Sequence, residues 1–309
     1  MEKKYFSVEK DGFYGCYYPH KTNKKHVLIA MVGDAVDDHM AVSFVKWAKE
    51  KGCGVLAMSP AKKDYSHHNL PLERFEAAIK WLKNQGVEKI AIAGASTTGM
   101  LALIVACHYE EISLTLALTP SDFVMEGYYK GKKDGAKEWP GDGESTVSYK
   151  GKPLPYLPYA DRHPDYWNNV MAYSKETKNL IASRKLFQDS EKASPLTEEQ
   201  MIKVENIRGK VVFIGAEDDS MWDTCRYIRR MRQRLTSRQA SVEAEYFLYD
   251  HGTHFVFPDG MMRRILPLFS GLLVKICFKA ARDFPKECKE TRIDIDRNLS
   301  RIIKEWMAK

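Results

Sequence analysis

The chain has 309 residues, of which 44% are hydrophobic, 11% aromatic and 29% charged, with a net charge of +7. That composition excludes collagen-like, low-complexity and disordered classes. The charge is modest for 48 basic against 41 acidic residues, so an anionic small-molecule substrate accounts for it as well as nucleic acid does. The elements then follow in chain order. Val27–Val32 reads as a buried strand ending at Gly33, and His39–Lys51 as a helix with Met40, Phe44, Trp47 and Ala48 at helical spacing. Val55–Met58 is a second buried strand. Leu72–Asn84 is an amphipathic helix closed by Gly86. Lys89–Ala93 is a third strand running through Gly94-Ala95-Ser96 into a helix over Met100–Tyr109, and Ser113–Leu118 is a fourth strand. Strands and helices alternating in this way specify an α/β fold, with a mostly parallel sheet covered on both faces.

The rhythm breaks over Asp122–Asn206, which is rich in Gly, Pro, Tyr and Lys, shows no clean strand and contains GKPLPYLPY at Gly151–Tyr159. A stretch this long is expected to be a cap or lid inserted in a single domain spanning residues 1–309. The sheet resumes at Lys210–Gly215, followed by a helix over Met221–Leu235 and a strand over Val242–Tyr249. Helices over Pro258–Ala281 and Ile293–Met307 complete the pattern. The longest apolar region, Ile265–Phe278, is interrupted by Pro267 and Lys275, so no membrane span is expected. The N-terminal MEKKYFSVEKDGF lacks the apolar core of a signal peptide, and the six cysteines show no CxxC spacing. A cytoplasmic chain with reduced thiols is expected.

Three loops at the carboxyl ends of predicted strands carry the chemistry, because open parallel sheets place their sites there. Ser96 in Gly94-Ala95-Ser96-Thr97-Thr98-Gly99 sits where a sharp strand-to-helix turn exposes a hydroxyl. Asp218-Asp219 follows the strand ending at Gly215, and His254 follows the strand ending near Tyr249. The order Ser, Asp, His is that of α/β-hydrolases: the histidine takes the serine proton and the aspartate orients it. Counting forward from Gly215 gives Asp218 as the acid. Counting back three residues from Trp222 gives Asp219. An oxyanion hole would combine the Thr97 N–H with one after Gly33, at Asp34 or Ala35. A small residue is expected two positions after the nucleophile, but Thr98 stands there and the glycine follows at Gly99.

From Val27 to Pro258 the chain resembles the catalytic C-terminal domain of the acyl-CoA thioesterase and bile acid-CoA:amino acid N-acyltransferase family, close to dienelactone hydrolases. The resemblance rests on RFEAAIKWLKNQGVEKIAIAGAS, PSDFVMEG with GKPLPYLPY, IKVENIRGKVVFIGAEDDSMW and HGTHFVFP. It implies an α/β-hydrolase fold and an acyl-enzyme mechanism on thioesters or esters of carboxylic acids, and its D-x-x-W signature, counted back from Trp222 as the rarer landmark, favours Asp219 over Asp218 as the acid. An acyl-CoA thioesterase is the favoured reading. Family members with the full architecture carry an N-terminal β-sandwich, whereas about 26 residues precede the first expected strand here. Serine rather than cysteine as nucleophile leans towards hydrolysis over transfer to an amine, because an oxygen ester favours release to water.

Other readings remain: a carboxylesterase or lactone hydrolase without coenzyme A recognition, an acyl-CoA:amino acid N-acyltransferase, or a catalytically silent ligand-binding member. Tyr156 and Tyr159 are candidate substrate contacts in the cap. Arg226, at the start of an arginine-rich helix, and Arg263 are candidate contacts to coenzyme A phosphates. The same arginines also read as a solvated face. Coenzyme A enters as part of the substrate, and no separate cofactor is expected. His251 and His254 form an HxxH pair without a third ligand at standard spacing, so no metal is expected. His39, His67 and His68 are expected to face solvent, and Cys53 and Cys107 to be packing residues. The arginine helix lacks interleaved aromatics, so no nucleic acid partner is expected, and no membrane partner is expected either. The oligomeric state is open.

Overall fold

The computed structural model describes residues 2–33, 35–60, 67–130, 138–162, 164–267 and 271–309. An eight-stranded sheet forms its centre: β1 (Lys4–Phe6), β2 (Gly15–Tyr18), β3 (His26–Met31), β4 (Gly54–Met58), β5 (Lys89–Ala95), β6 (Ile112–Leu118), β7 (Lys210–Ala216) and β8 (Ala244–Tyr249). Their spatial order is β1-β2-β4-β3-β5-β6-β7-β8. The β1–β2 and β2–β4 pairings are antiparallel, and the pairings of β4 with β3 and onward across the sheet to β8 are parallel. The chain leaves β3 for β4 on one side and returns to β5 on the other. The β3/β5 boundary is therefore the switch point at which ligands of open α/β sheets bind.

Strand alternation builds two apolar layers. In β3, Val27, Ile29 and Met31 enter one core while Leu28 and Ala30 enter the other. The helix Thr97–His108 is buried nearly all round, which is why its sequence is apolar on every face. Trp47, on the helix His39–Glu50, is fully buried and donates from Nε1 to Asp296 Oδ1 at 2.9 Å. That bond ties the helix to the 24-residue C-terminal helix Pro285–Ala308.

The structure differs from the sequence reading at both ends and in the middle. The hairpin of β1 and β2 precedes the first expected strand, and its three- and four-residue strands are too short for a periodicity signal. The expected helix over Pro258–Ala281 is broken into Asp259–Ile265, Leu272–Cys277 and Lys279–Asp283, with Pro267 in the first gap. Between β6 and β7, where no clean strand was expected, lie strands Glu126–Lys130, Glu138–Ser145, Val147–Tyr149 and Lys152–Pro153. Val147–Tyr149 pairs in parallel with Leu70–Pro71, so part of this stretch is a small second sheet. Helices Asp165–Glu176 and Arg184–Ala193 follow. No helix among the described residues is long and apolar enough to cross a membrane.

Candidate active site

Ser96 occupies the turn between β5 and its helix at φ 64° and ψ −131°, a conformation L-residues rarely hold. Backbone contacts enforce it. The Ser96 N–H donates to Leu118 O at 2.9 Å, on the neighbouring strand. A Cβ on Gly94 would lie 2.0 Å from the Thr98 carbonyl oxygen, so only glycine fits there. Thr98 is accommodated by its hydroxyl: Oγ1 accepts from the Ala95 N–H at 3.0 Å and lies 2.8 Å from both Met31 O and Ala95 O. The residue that departs from the expected pattern thus ties the turn to the end of β3.

His254 and Asp219 meet at the ends of β8 and β7. His254 Nδ1 lies 2.8 Å from Asp219 Oδ2, with Asp219 wholly buried and His254 4% exposed. The Asp219 carboxylate also accepts from the Met221 N–H at 2.8 Å and from the Thr224 hydroxyl at 2.5 Å. Those donors fix its orientation. Trp222 stands edge-on to the imidazole with ring centroids 4.6 Å apart, and its Nε1 donates to Thr119 O at 3.1 Å. His254 Nε2 is buried without a hydrogen-bond partner among the described residues.

Asp218 does something else. Its Oδ1 accepts from the Gly252 and Thr253 N–H groups at 3.1 and 2.7 Å, and its Oδ2 lies 3.4 Å from His251 Nδ1. Burial pushes its carboxyl above the usual range, against the pull of those two N–H donors. Asp218 therefore shapes the loop that carries His254, while Asp219 touches the histidine itself. His251 stacks on Phe284 at 3.8 Å.

Ser96 and His254 open into one cavity of about 370 Å³. Its apolar walls include Ile181, Met221, Phe255, Phe257, Cys277 and Phe278. The walls supplied from beyond β8 were not foreseen in the sequence; the alternating Phe255 and Phe257 of HGTHFVFP were the available signal. Thr224 and the packing of Trp222 against His254 were also missed. The hydroxyl five residues after Asp219 carried no pattern that would have revealed its role.

Of the other expected site residues, Thr97 adjoins Ser96. The Thr97 N–H is at the first position of its helix, where no intrahelical acceptor exists. The Ala35 N–H, expected to face an oxyanion, donates instead to Asp38 Oδ2 at 2.9 Å. Asp38 caps the helix His39–Glu50, and its carboxylate packs over Gly33 (φ 89°). Asp34 lies outside the described residues. Tyr159 is buried against Tyr166 and Phe187, and Tyr156 is half-buried against the core; neither lines the cavity.

The arginine helix, Thr224–Ser237, is not a free cationic face. Arg226 pairs with Glu191 and Arg229 with Glu217. Arg230 makes a fork to Asp122 at 2.5 and 2.6 Å and reaches Glu191 at 2.6 Å. Arg234 engages Glu198 and Glu205, and Arg238 engages Glu198. Arg263 donates to Asp259 at 2.6 Å and lines a different cavity. Arg226 and Arg263 are thus occupied by carboxylates, away from Ser96. His67, expected in solvent, is buried against Tyr128, and burial pushes its pKa down to about 4. Cys53 is fully buried, which pushes its thiol up to about 12, and Cys107 donates to Lys203 O at 3.2 Å.

A family model described as "BAAT / Acyl-CoA thioester hydrolase C terminal" matches residues 70–261, more than half of the chain. No curated protein matches. Among solved structures, MGS-M1, an alpha/beta hydrolase from a Medee basin deep-sea metagenome library, superposes with a TM-score of 0.55 at 13% identity, over 100% of this chain and 99% of that one. The sugar hydrolase YeeB from Lactococcus lactis gives 0.54 at 12% identity, over 99% and 100%. A proposed dienelactone hydrolase from Klebsiella pneumoniae gives 0.50 at 11% identity, over 100% and 98%. At these identities the likeness shows the α/β-hydrolase fold.

Proposed function

Because the chain belongs to the BAAT / acyl-CoA thioester hydrolase C-terminal family, we propose that it is a serine hydrolase that cleaves esters or thioesters of apolar carboxylic acids through an acyl-enzyme. The observation that carries the reading is His254: Nδ1 held by Asp219 at 2.8 Å, Nε2 unpartnered, in the cavity that also exposes Ser96. In the first half-reaction a bond forms between Ser96 Oγ and the acyl carbon as the hydroxyl proton passes to His254 Nε2. The carbonyl electron pair moves to oxygen, where the Thr97 N–H receives it. Collapse expels the alkoxide or thiolate, which takes the proton from Nε2. Water then repeats the sequence on the serine ester and releases the acid. Asp219 keeps the imidazole in the tautomer with hydrogen on Nδ1 and stabilises the imidazolium.

The apolar walls suit an acyl group, and a coenzyme A thioester is the substrate that the family favours. Transfer of the acyl group to an amine is the less favoured outcome, since the acyl-enzyme is an oxygen ester. A carboxylesterase without coenzyme A recognition is a second reading, favoured by a specific observation: Arg226 and Arg263 are each taken up by a carboxylate. The test has two parts. A fluorophosphonate probe should label the wild type at Ser96 and not the Ser96→Ala variant; no labelling would sink the serine-hydrolase reading. Turnover of acyl-CoA against p-nitrophenyl esters of the same acid, with and without glycine as acceptor, then separates the thioesterase, esterase and transferase readings.

A further inference from the structure

Six large hydrophobic side chains stand exposed among the described residues, and three of them meet at one place: Leu180 (60% exposed), Leu272 (46%) and Ile276 (55%). Leu272 and Ile276 are four residues apart on the outer face of the helix Leu272–Cys277, whose Val274 and Cys277 turn inward. Leu180 is fastened beside them, its N–H donating to Cys277 O at 2.8 Å. Two more bonds hold these segments together. The Lys279 N–H donates to Asn179 Oδ1 at 2.8 Å, and Arg282 donates to the Lys178 carbonyl.

This patch borders the cavity. Ile181 follows Leu180, Cys277 and Phe278 follow Ile276, and all three line the cavity that exposes Ser96. Cations surround it. The segments 178–181 and 272–283 carry Lys178, Lys275, Lys279 and Arg282 against a single carboxylate, Asp283, which pairs with Lys279 and leaves Lys178 and Lys275 as the lysines that face solvent without it. All three lysines are exposed. Scattered exposed leucines need no explanation, but clustered ones ringed by cations at a site mouth do.

We propose that this rim docks the protein on an anionic lipid surface, with Leu180, Leu272 and Ile276 inserted at the headgroup boundary. The substrates would be acyl esters dissolved in that surface; this part rests on the hydrolase reading above. Apolar side chains that enter the interface while flanking lysines meet anionic headgroups are the two contributions that peripheral binding needs. The charge complementarity selects a lipid surface over a second copy of this chain, because two copies of the rim would set like charges against each other. An acyl chain leaving the bilayer between Leu180 and Ile276 would pass directly to Ile181, Cys277 and Phe278.

The experiment is flotation of the full chain with vesicles of phosphatidylcholine, with and without phosphatidylglycerol, at low and high NaCl. The wild type should float with the anionic vesicles only, and salt should release it. The variant Leu180→Ser/Leu272→Ser/Ile276→Ser should bind at least about tenfold more weakly. The variant Lys178→Gln/Lys275→Gln should lose about 25-fold, roughly fivefold per lysine. Both should cleave dissolved p-nitrophenyl acetate as the wild type does, which also reports that they fold. A wild type that cleaves the dissolved ester yet never floats overturns the docking proposal. So does a serine variant that floats like the wild type, or one that only turns a wild-type dimer into a monomer. A wild type that floats, salt-dependently, without cleaving any ester supports the docking and removes the hydrolase reading instead.

Discussion

The carboxyl ends of the sheet and the segment between β6 and β7 hold their residues in opposite ways. At the sheet, the site depends on short neutral contacts and one buried carboxylate: Ser96 N–H to Leu118 O, Thr98 to Met31 O, and Asp219 to Met221, Thr224 and His254. Leu118 and Met31 are strand ends, and Asp219 and His254 stand in the loops that leave β7 and β8, so their placement follows from sheet register. The inserted segment is instead pinned by charge. Asp122, Glu191, Glu198 and Glu205 all reach the same helix, to Arg226, Arg230, Arg234 and Arg238. The difference teaches that the arginine-rich sequence serves to fasten the insertion, and that catalytic placement does not depend on it.

Substitutions at the sheet should therefore remove turnover while leaving stability near the wild type. Ser96→Ala loses only a hydroxyl in a turn whose backbone is held from outside. We expect turnover to fall on the order of 10⁴-fold or more with an unchanged melting temperature. Retention of a tenth of wild-type turnover would mean that another group attacks. The adjacent acids give the sharper contrast. Asp219→Asn should cost about 10³- to 10⁴-fold, since an amide facing Nδ1 favours the wrong tautomer. Asp218→Ala should cost about 1–2 kcal/mol of stability by leaving the Gly252 and Thr253 N–H groups unpaired, with a far smaller loss of turnover. Steady-state kinetics and thermal melts of the two variants decide it, and a larger kinetic loss at Asp218 would reverse the roles.

Much of this site was legible in the sequence, because buried parallel strands announce themselves and their carboxyl ends carry the chemistry. Ser96, the acid pair and His254 each fall within a few residues of a continuous apolar run. What could not be read is whatever depends on contacts distant in the chain. Asp38 taking the Ala35 N–H is local but competes with an equally plausible oxyanion role, and only geometry separates them. The small strands at 126–153 are paired with one another or with Leu70–Pro71, and their own sequence is too polar and Gly-rich to signal it. The tyrosines of GKPLPYLPY suggested a lid over substrate, yet Tyr159 spends its ring on Tyr166 and Phe187.

Substitutions in the insertion should show the converse pattern. Arg230→Met leaves Asp122, wholly buried, without its fork, and truncation of one partner of a buried pair costs about 3–5 kcal/mol. Arg226→Met, whose side chain is 43% exposed, should cost at most about 1 kcal/mol. Tyr159→Ala should destabilise by about 3–5 kcal/mol and lower turnover equally on every acyl chain. Ile181→Ala, which opens the cavity wall, should shift chain-length preference with little change in melting temperature. Chemical denaturation alongside a p-nitrophenyl ester series measures both. A chain-length shift at Tyr159 without loss of stability would restore it as a substrate contact.

The smallest effect concerns acid. The Arg234 and Lys203 side chains hold Glu198 down to about 2 in the folded protein, from an ordinary value of 4.5. Burial works against ionisation of Glu205, but Arg234 keeps it below its ordinary value as well. The folded state therefore binds fewer protons than the unfolded chain between pH values of about 2 and 4.5. Stability contributed by these carboxylates is complete above the unfolded value and is lost as pH falls through the folded one. Glu198 is half exposed, so solvent screens much of the gain, and the double variant Glu198→Gln/Glu205→Gln should melt only a few degrees below the wild type at neutral pH. As the pH is lowered from about 5 towards 2 the two melting curves should converge, because the wild type loses the charges that the variant never had. Parallel curves across that range would show that the glutamates contribute contact rather than charge, and that the charge pairing of the insertion to the arginine helix rests on Asp122 and Glu191.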